Sequence, residues 1–408
     1  MTTLALRSKN CGLFFGGQGI SLVGTWMTKV AAVWSIYQLG GSALPLGLAG
    51  FADQIPSLFL SPFAGVLIDR WNRQQVLRAT QTLSALQSLA LAFLTLTERI
   101  DIASFLVLSF CQGCINAFDV PARQAFIAEI VDSKEDIGEA IAVNSLTISS
   151  ARLFGPSLAA IAISGLGAGL CFLIDGLSYL PLIAVLFIIK PKKELAKKTN
   201  SIKYQQETNP WQQLQQGFAY AARVSPVGWI LLLLALVGFM AMPYTYLAPI
   251  FAKETLGGGS DTLGVLMAFA GLGSFSGSLY LMSRKSPMGL EKIAIGATAI
   301  TGISLIGFSM SETLFASSVA LYFIGLCLVL QVAASNILLQ TLVPDEKRGR
   351  VMSLFALAYL GMLPLGSLMA GAVAELIGAA TTLSINGGIC LLAAFLLQPK
   401  IVPLKRTR

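Results

Sequence analysis

Gly65-Val-Leu-Ile-Asp69-Arg70-Trp-Asn-Arg73 is the stretch on which the fold turns. A long apolar run ends there in charge, and the next begins at once, at Val76. A helix reaches the membrane boundary, turns within a few residues and goes back in. The turn holds one carboxylate and two guanidiniums, a high density for a chain that is 12% charged and 55% hydrophobic. Such a composition is too apolar for an ordinary soluble domain. Apolar runs of about twenty residues recur along the chain, each long enough to cross roughly 30 Å of hydrocarbon. Open-edged sheets cannot satisfy their backbone in lipid and barrel-like alternation is absent, so the runs are read as helices.

Spanning helices are expected near 13–39, 46–69, 76–97, 102–123, 138–163 and 168–190, then 227–252, 261–283, 289–309, 313–342, 349–373 and 378–398. The expected fold is an all-α membrane protein of about 12 transmembrane helices in two six-helix bundles. Residues 1–190 form the first bundle, 191–224 a linker and 225–408 the second. The lysine-rich stretch up to Asn209-Pro210 cannot bury enough apolar surface to fold by itself. Trp211, Leu214, Phe218 and Ala221 then recur at helical spacing, which predicts a short surface helix before Ser225-Pro226.

The net charge of +8 does not imply nucleic acid, because the basic residues sit in short loops, where they orient helices. Of the lysines and arginines, 24 fall on one side and two, Arg99 and Lys253, on the other. That asymmetry places both termini and the linker in the cytoplasm, with the chain in a bacterial inner membrane. No signal peptide is apparent, since the first apolar run is too long and no small-x-small site follows. Cys111-Gln-Gly-Cys114 has the spacing of a redox or metal pair, but no second pair and no histidine accompany it, so a packing role is expected.

The halves echo each other. Leu39-Gly-Gly-Ser42 with Leu46-Gly47 recurs as Leu256-Gly-Gly-Gly-Ser260 with Leu263-Gly264, about 217 positions on. Gly155-Pro-Ser-Leu-Ala-Ala160 has a weaker echo in Leu365-Gly-Ser-Leu-Met-Ala370, about 210 on. A parallel repeat of this kind suits alternating access.

Ionisable residues inside a membrane are costly and need a reason. Four stand out: Lys29, Asp53, Arg152 and Asp175. Internal pairing that only holds helices together competes with a functional role for each. Gln18, Ser21, Thr25 and Lys29 share one helical face. Gln112, Asn116 and Asp119 stripe the fourth helix, and Ser145, Ser149 and Arg152 the fifth. Gln331, Ser335, Asn336 and Gln340 stripe the tenth, while Tyr244 and Tyr246 add polar aromatic groups to the seventh. Such stripes should meet one another or a water-filled cavity.

The G-x-x-x-D-R-x-x-R turn at Gly65, Asp69, Arg70 and Arg73 resembles the loop 2–3 signature of the major facilitator superfamily. The resemblance covers nearly the whole chain. It is strongest to the branch containing the enterobactin exporter and macrolide efflux proteins. Gly24-Thr-Trp26-Met27, Phe118-Asp-Val-Pro-Ala-Arg-Gln-Ala125, Ala142-Val-Asn-Ser145, Ala151-Arg-Leu-Phe-Gly155-Pro156 and Val343-Pro-Asp-Glu-Lys-Arg-Gly-Arg350 carry it. It implies that helices one, four, seven and ten line a central cavity. Gly155-Pro156 falls where the superfamily's antiporter signature places a kink. The embedded arginine of the fourth-helix signature is replaced by Ser109. Lys29 or Arg152 would then supply the basic partner.

The expected function is secondary active transport, as proton-coupled efflux of an amphiphilic organic solute such as a siderophore. A multidrug or macrolide-type pump is the nearest alternative, and an importer or a non-transporting receptor stands further off. Substrate contacts are assigned to Lys29, Thr25, Gln18, Gln112, Asn116, Arg152, Tyr244, Gln331 and Asn336. Asp53 or Asp175 is assigned to proton coupling. Gly65, Asp69, Arg70, Arg73, Asp119, Arg123, Gly155, Pro156 and Arg350 are assigned to gating. Arg70 or Arg73 is expected to meet Asp119, and Asp69 to face the start of the eleventh helix near Arg350. No cofactor is expected, the proton gradient serving as energy source. The partners are the lipid bilayer, protons and a small-molecule substrate, with no nucleic acid, and the chain acts as a monomer. With no histidine, P-loop or nucleophile–base constellation, an enzyme reading has no support.

Overall fold

In the computed structural model, which describes residues 8–133, 136–189, 210–284 and 288–402, eleven helices are long and apolar enough to cross a membrane. The first helix, α1 (Lys9–Gly40), is not among them, although its 32 residues give it the length. Its face of Gln18, Ser21, Thr25 and Lys29 lowers its hydropathy. The chain continues as α2 (Ala43–Arg70), α3 (Arg73–Leu96), α4 (Ile102–Ile130), α5 (Ile137–Leu166) and α6 (Ala168–Ile188). After the linker come α7 (Pro210–Arg223), α8 (Val227–Met240) and α9 (Tyr244–Ile250) with its π-helical end (Phe251–Thr255). Then follow α10 (Ser260–Ser283), α11 (Leu290–Ser309), α12 (Leu314–Leu342), α13 (Asp345–Leu360), α14 (Met362–Ile377) and α15 (Ala379–Ile401).

The fold is all-α, and two expected spans are interrupted. The seventh breaks between α8 and α9, just before Pro243, and the eleventh at Gly361, three residues before Pro364. Proline lacks an N–H and its ring clashes with the carbonyl four residues earlier, so a helix approaching it tends to break one turn ahead. The kink expected at Gly155-Pro156 is not a break of this kind: α5 runs unbroken through both residues. The surface-helix expectation is met in sequence position by α7, while 190–209 lie outside the described residues.

Contacts divide the chain into two units, Met1–Gly40 with Ala52–Glu207, and Gly41–Phe51 with Thr208–Arg408. In the first, Cys11, Phe14 and Phe15 of α1 pack with Ala122, Phe126, Ile127 and Ile130 of α4 and with Leu182 and Leu186 of α6. In the second, Val227, Ile230 and Leu233 pack with Ala334, Leu338, Leu354 and Leu397. The repeat seen in sequence recurs in the turns. Gly41 (φ 61°) and Gly257 (φ 62°) both lie in the glycine turns of the two echoes, one position out of step. Gly167 and Gly378, both at φ 85°, start the sixth helix of each half. Left-handed backbone disfavours side chains, so glycine holds these turns in both halves.

The second unit annexes the start of α2. The Ala43 and Leu44 N–H groups donate to the Glu375 carboxylate of α14 at 2.9 and 3.0 Å. These are helix-terminal donors that lack an intrahelical acceptor. A Cβ on Gly47 would lie 2.6 Å from the Ser367 carbonyl oxygen, so the two backbones meet directly there.

Four cysteines, Cys11, Cys171, Cys327 and Cys390, are buried as packing residues should be. Cys111 departs from the packing expectation: it is exposed, and Cys114 is half-buried.

Candidate functional site

The central group of the first unit is built on α1. Trp26 and Lys29 lie one turn apart, and Lys29 Nζ stands 4.7 Å from the Trp26 ring centroid. From α5, the Arg152 guanidinium carbon stands 4.8 Å from the same centroid. Gly155 makes this approach possible. A Cβ at that position would collide with Trp26 Cβ and lie 3.1 Å from the Val23 carbonyl oxygen. With no side chain at Gly155, α5 presses on α1 and brings Arg152, one turn earlier, over the indole. Cations over a tryptophan ring gain roughly 0.5–2 kcal/mol, depending on how dry the site is.

Asp53 of α2 completes the charged group, its charge attracting Lys29 while Arg152 opposes it. Asp53 is half-buried and its Oδ2 accepts a hydrogen bond from Gln54 Nε2 at 2.7 Å. Lys29 is exposed and Arg152 half-buried. Chemically, two cations, one carboxylate and an indole face stand together here.

Asp175 stands apart from that group. It is buried in α6, and its Oδ2 accepts from Ser88 Oγ at 2.6 Å. Gly24 lies against its other oxygen: a Cβ there would be 2.8 Å from Oδ1. Gln18 is fully buried and donates to Asn144 Oδ1 at 2.8 Å, tying α1 to α5. Thr25 Oγ1 lies 3.2 Å from the hydroxyl of buried Tyr179. Gln112 donates to Ser84 Oγ at 3.2 Å and to Asn116 Oδ1 at 3.1 Å. The stripes therefore divide. Lys29, Asp53 and Arg152 gather together, whereas Gln18, Gln112 and Asp175 are spent on interhelical hydrogen bonds.

In the second unit Gln331 is fully buried and donates to Ser335 Oγ at 3.4 Å, while Asn336 Oδ1 accepts from Gln340. Tyr244 is buried at the start of α9, just after the break in the seventh span.

At the turn that opened the sequence reading, Arg73 donates to Glu129 Oε1 of α4 at 2.8 Å. It does not meet Asp119 in the way the sequence suggests. Asp119 is taken by three other donors: Arg123 one turn on, Thr80 Oγ1 at 2.8 Å and Gln81 Nε2 at 2.7 Å. The reason is local. Arg123 lies four residues away on the same helical face, and α3 packs along α4 closely enough to supply hydroxyl and amide donors. Gly65 is half-buried in α2, Arg70 is exposed at its end, and the Asp69 side chain lies outside the described residues. Pro156 is buried in α5, and Arg350 is half-buried in α13.

Sequence reasoning placed α3 but missed its polar face. Gln74, Thr80, Gln81, Ser84, Gln87 and Ser88 are all buried on it. They reach the Leu186 and Ile189 carbonyls, Asp119, Gln112, the Leu108 carbonyl and Asp175 respectively, with Thr80 and Gln81 sharing Asp119. The helical spacing of 74, 81, 84 and 88 was a visible signal. Asn144, Tyr179 and Glu375 were also missed. Trp26 was noticed only as part of a family likeness.

An all-helical membrane chain with two similarly built halves and charged groups gathered between its spans is a transporter, not an enzyme. The family description "transmembrane secretion effector" fits residues 6–407, and the chain belongs to that family of the major facilitator superfamily. It is similar to the staphyloferrin A transporter of Staphylococcus aureus, 26% identical over 386 residues and 94% of each chain. It is also similar to macrolide efflux protein A of Streptococcus pyogenes, 22% identical over 89% of each chain. In solved structures the fold resembles a POT family transporter in complex with a thioalcohol-conjugated peptide (TM-score 0.74, 11% identity, 96% of each chain). It likewise resembles the nucleoside transporter NupG (TM-score 0.70, 14% identity, 97% of this chain and 100% of that one).

Proposed function

We propose that the protein exports an anionic, oxygen-rich amphiphile of the siderophore kind by alternating access, driven by proton exchange. The observation that carries this reading is the placing of Lys29 and Arg152 over Trp26, with Asp53 within electrostatic reach. Guanidinium and ammonium donors engage carboxylate or catecholate oxygens, and the indole offers a face for an apolar body. The similarity to the staphyloferrin A transporter of Staphylococcus aureus supports the substrate class. A macrolide or multidrug substrate is the second reading, favoured by the names of two further relatives. Macrolides are commonly cationic, and a site with two cations suits them less well.

Proton coupling is assigned to Asp53 in preference to Asp175. Asp53 faces a cation at a half-buried position, where each change of access alters its hydration. Asp175 is already engaged by Ser88 in closely packed surroundings. Exchange requires the proton and the substrate to occupy this group in turn, Asp53 losing its proton on the cytoplasmic side as substrate loads and regaining it on the outer side as substrate leaves. The loop charge asymmetry supports a reading with both termini on the cytoplasmic side of a bacterial inner membrane. A single chain supplies the whole charged group, so the reading needs no second copy. The test is substrate flux in proteoliposomes under an imposed pH gradient, comparing the wild type with Asp53→Asn and Asp175→Asn. Proton-driven flux unchanged in Asp53→Asn overturns the coupling assignment.

A further inference from the structure

We infer that the second unit carries a binding site for the phosphate headgroup of an anionic phospholipid, in a cleft between α7 and α13. The cleft encloses about 350 Å³ and is bounded by Tyr220, Arg223 and Val224 on one side and Lys347, Arg350 and Val351 on the other. Gln216, Ala219, Tyr220 and Arg223 recur at i, i+3, i+4 and i+7, so a single face of α7 turns toward it. Gly217 sets the closeness of the two helices: a Cβ there would lie 3.3 Å from both the Arg350 carbonyl oxygen and Leu354.

Three cations and, among the described residues, no carboxylate line the cleft. Lys347 Nζ stands 4.7 Å from the Tyr220 ring centroid, which orients the ammonium toward the cleft rim. Arg223 and Lys347 are exposed, whereas Val351 is fully buried, so the rim is charged and the floor apolar. That division matches the junction of a phosphate with its glycerol and acyl portions, and a small inorganic anion would leave the floor unused.

Position fixes the source of the phosphate. The spans Val227–Thr255 and Glu346–Ile377 begin within four residues of Arg223 and Lys347, so the cleft lies at the level where chain enters hydrocarbon. Close by, Lys400 Nζ stands 3.8 Å over the Trp229 ring, a pairing suited to the headgroup region. Phe218 is 56% exposed on the face of α7 turned away from the cleft, as an interfacial helix requires. Basic recesses between helices at this level are the expected seat of an acidic headgroup.

The test uses the full-length protein in detergent, with bound lipid counted by native mass spectrometry against phosphatidylglycerol, phosphatidylcholine, inorganic phosphate and glycerol 3-phosphate. Phosphatidylglycerol should be retained in preference to phosphatidylcholine, and the preference should fall as salt rises. Arg223→Gln/Lys347→Gln should weaken retention about thirty-fold, at roughly 1 kcal/mol for each lost cation. Arg284→Gln/Lys292→Gln, removing two other cations of the same unit, should leave retention unchanged. Equal retention of the two lipids by the wild type overturns the inference, and that comparison needs no variant to fold. Equal retention by the Arg223/Lys347 variant and the wild type overturns it too. Displacement of phosphatidylglycerol by equimolar inorganic phosphate would make this a free-anion site and overturn the lipid assignment.

Discussion

Removing the Asp119 carboxylate should be among the most damaging single changes available in the first unit. Asp119 is 2% exposed and accepts from Arg123, Thr80 and Gln81, which ties α3 to α4. Asp119→Ala leaves the hydroxyl, the amide and a largely buried guanidinium, 19% exposed, without this acceptor. At the modest value measured for hydrogen bonds inside membranes, about 0.6 kcal/mol each, the three sum to roughly 2 kcal/mol. Stranding a buried cation raises the cost toward about 3–5 kcal/mol. For a unit of this size each kcal/mol lowers the midpoint by about 2–4 °C, so a fall of roughly 6–20 °C follows. The assay is thermal unfolding of the purified protein in detergent, followed by tryptophan fluorescence and by loss of the monodisperse peak. Asp119→Asn keeps an acceptor for Thr80 and Gln81 and should lose less. Adding Arg123→Met to Asp119→Ala removes the stranded cation and should recover part of the loss. A midpoint within about 2 °C of wild type in Asp119→Ala would refute the view that this network holds α3 to α4.

Gly155→Leu should abolish transport, because its Cβ already collides with Trp26 and any larger group must push α5 off α1; transport at the wild-type rate would contradict this. Asp101 caps α4, its carboxylate held below the usual range by the Ser104 hydroxyl and N–H. The capping contribution is therefore present above the ordinary carboxyl value and lost as pH falls through the lowered one. Amide exchange at Ser104, corrected for intrinsic rate, should speed up on acidification in the wild type and be insensitive to pH in Asp101→Asn. Glu375→Ala should speed amide exchange at Ala43 and Leu44 while leaving Ser104 unchanged, since only the α2 donors lose an acceptor.

The fold was largely legible because membrane burial leaves a coarse and redundant trace. The apolar runs, the loop charges and the two echoes point the same way, and positive-φ glycines fall in corresponding turns of both halves, at 41 and 257 and at 167 and 378. The breaks near Pro243 and Gly361 were less legible. Proline alone does not say whether a helix breaks, as Pro121, Pro156 and Pro181 lie inside unbroken helices. Neighbouring packing decides, and it is not written locally.

The site was legible in its charges and illegible in its division of labour. Lys29, Asp53 and Arg152 announce themselves as ions in apolar runs, yet nothing in the sequence says that Asp175 belongs to a separate hydrogen-bonded contact. Helical spacing brings polar residues to one face but does not name the helix opposite. The stripe at Gln112 meets α3 and not a cavity for that reason. Arg73 shows the same limit: the turn placed it near the end of α4, but which of Asp119 and Glu129 it would meet depended on Arg123, Thr80 and Gln81 already holding the first.

The most direct test of the proposed function is binding and flux of a polycarboxylate or catecholate siderophore in proteoliposomes, comparing the wild type with Lys29→Met/Arg152→Met. The double variant removes both cations over Trp26, and at about 1.5–3 kcal/mol for each charged hydrogen bond it should weaken binding at least a hundredfold. Flux should fall with it, while an uncharged amphiphile of similar size should be affected far less. Equal siderophore binding and pH-driven flux in the variant and the wild type would contradict the assignment of this group as the substrate site.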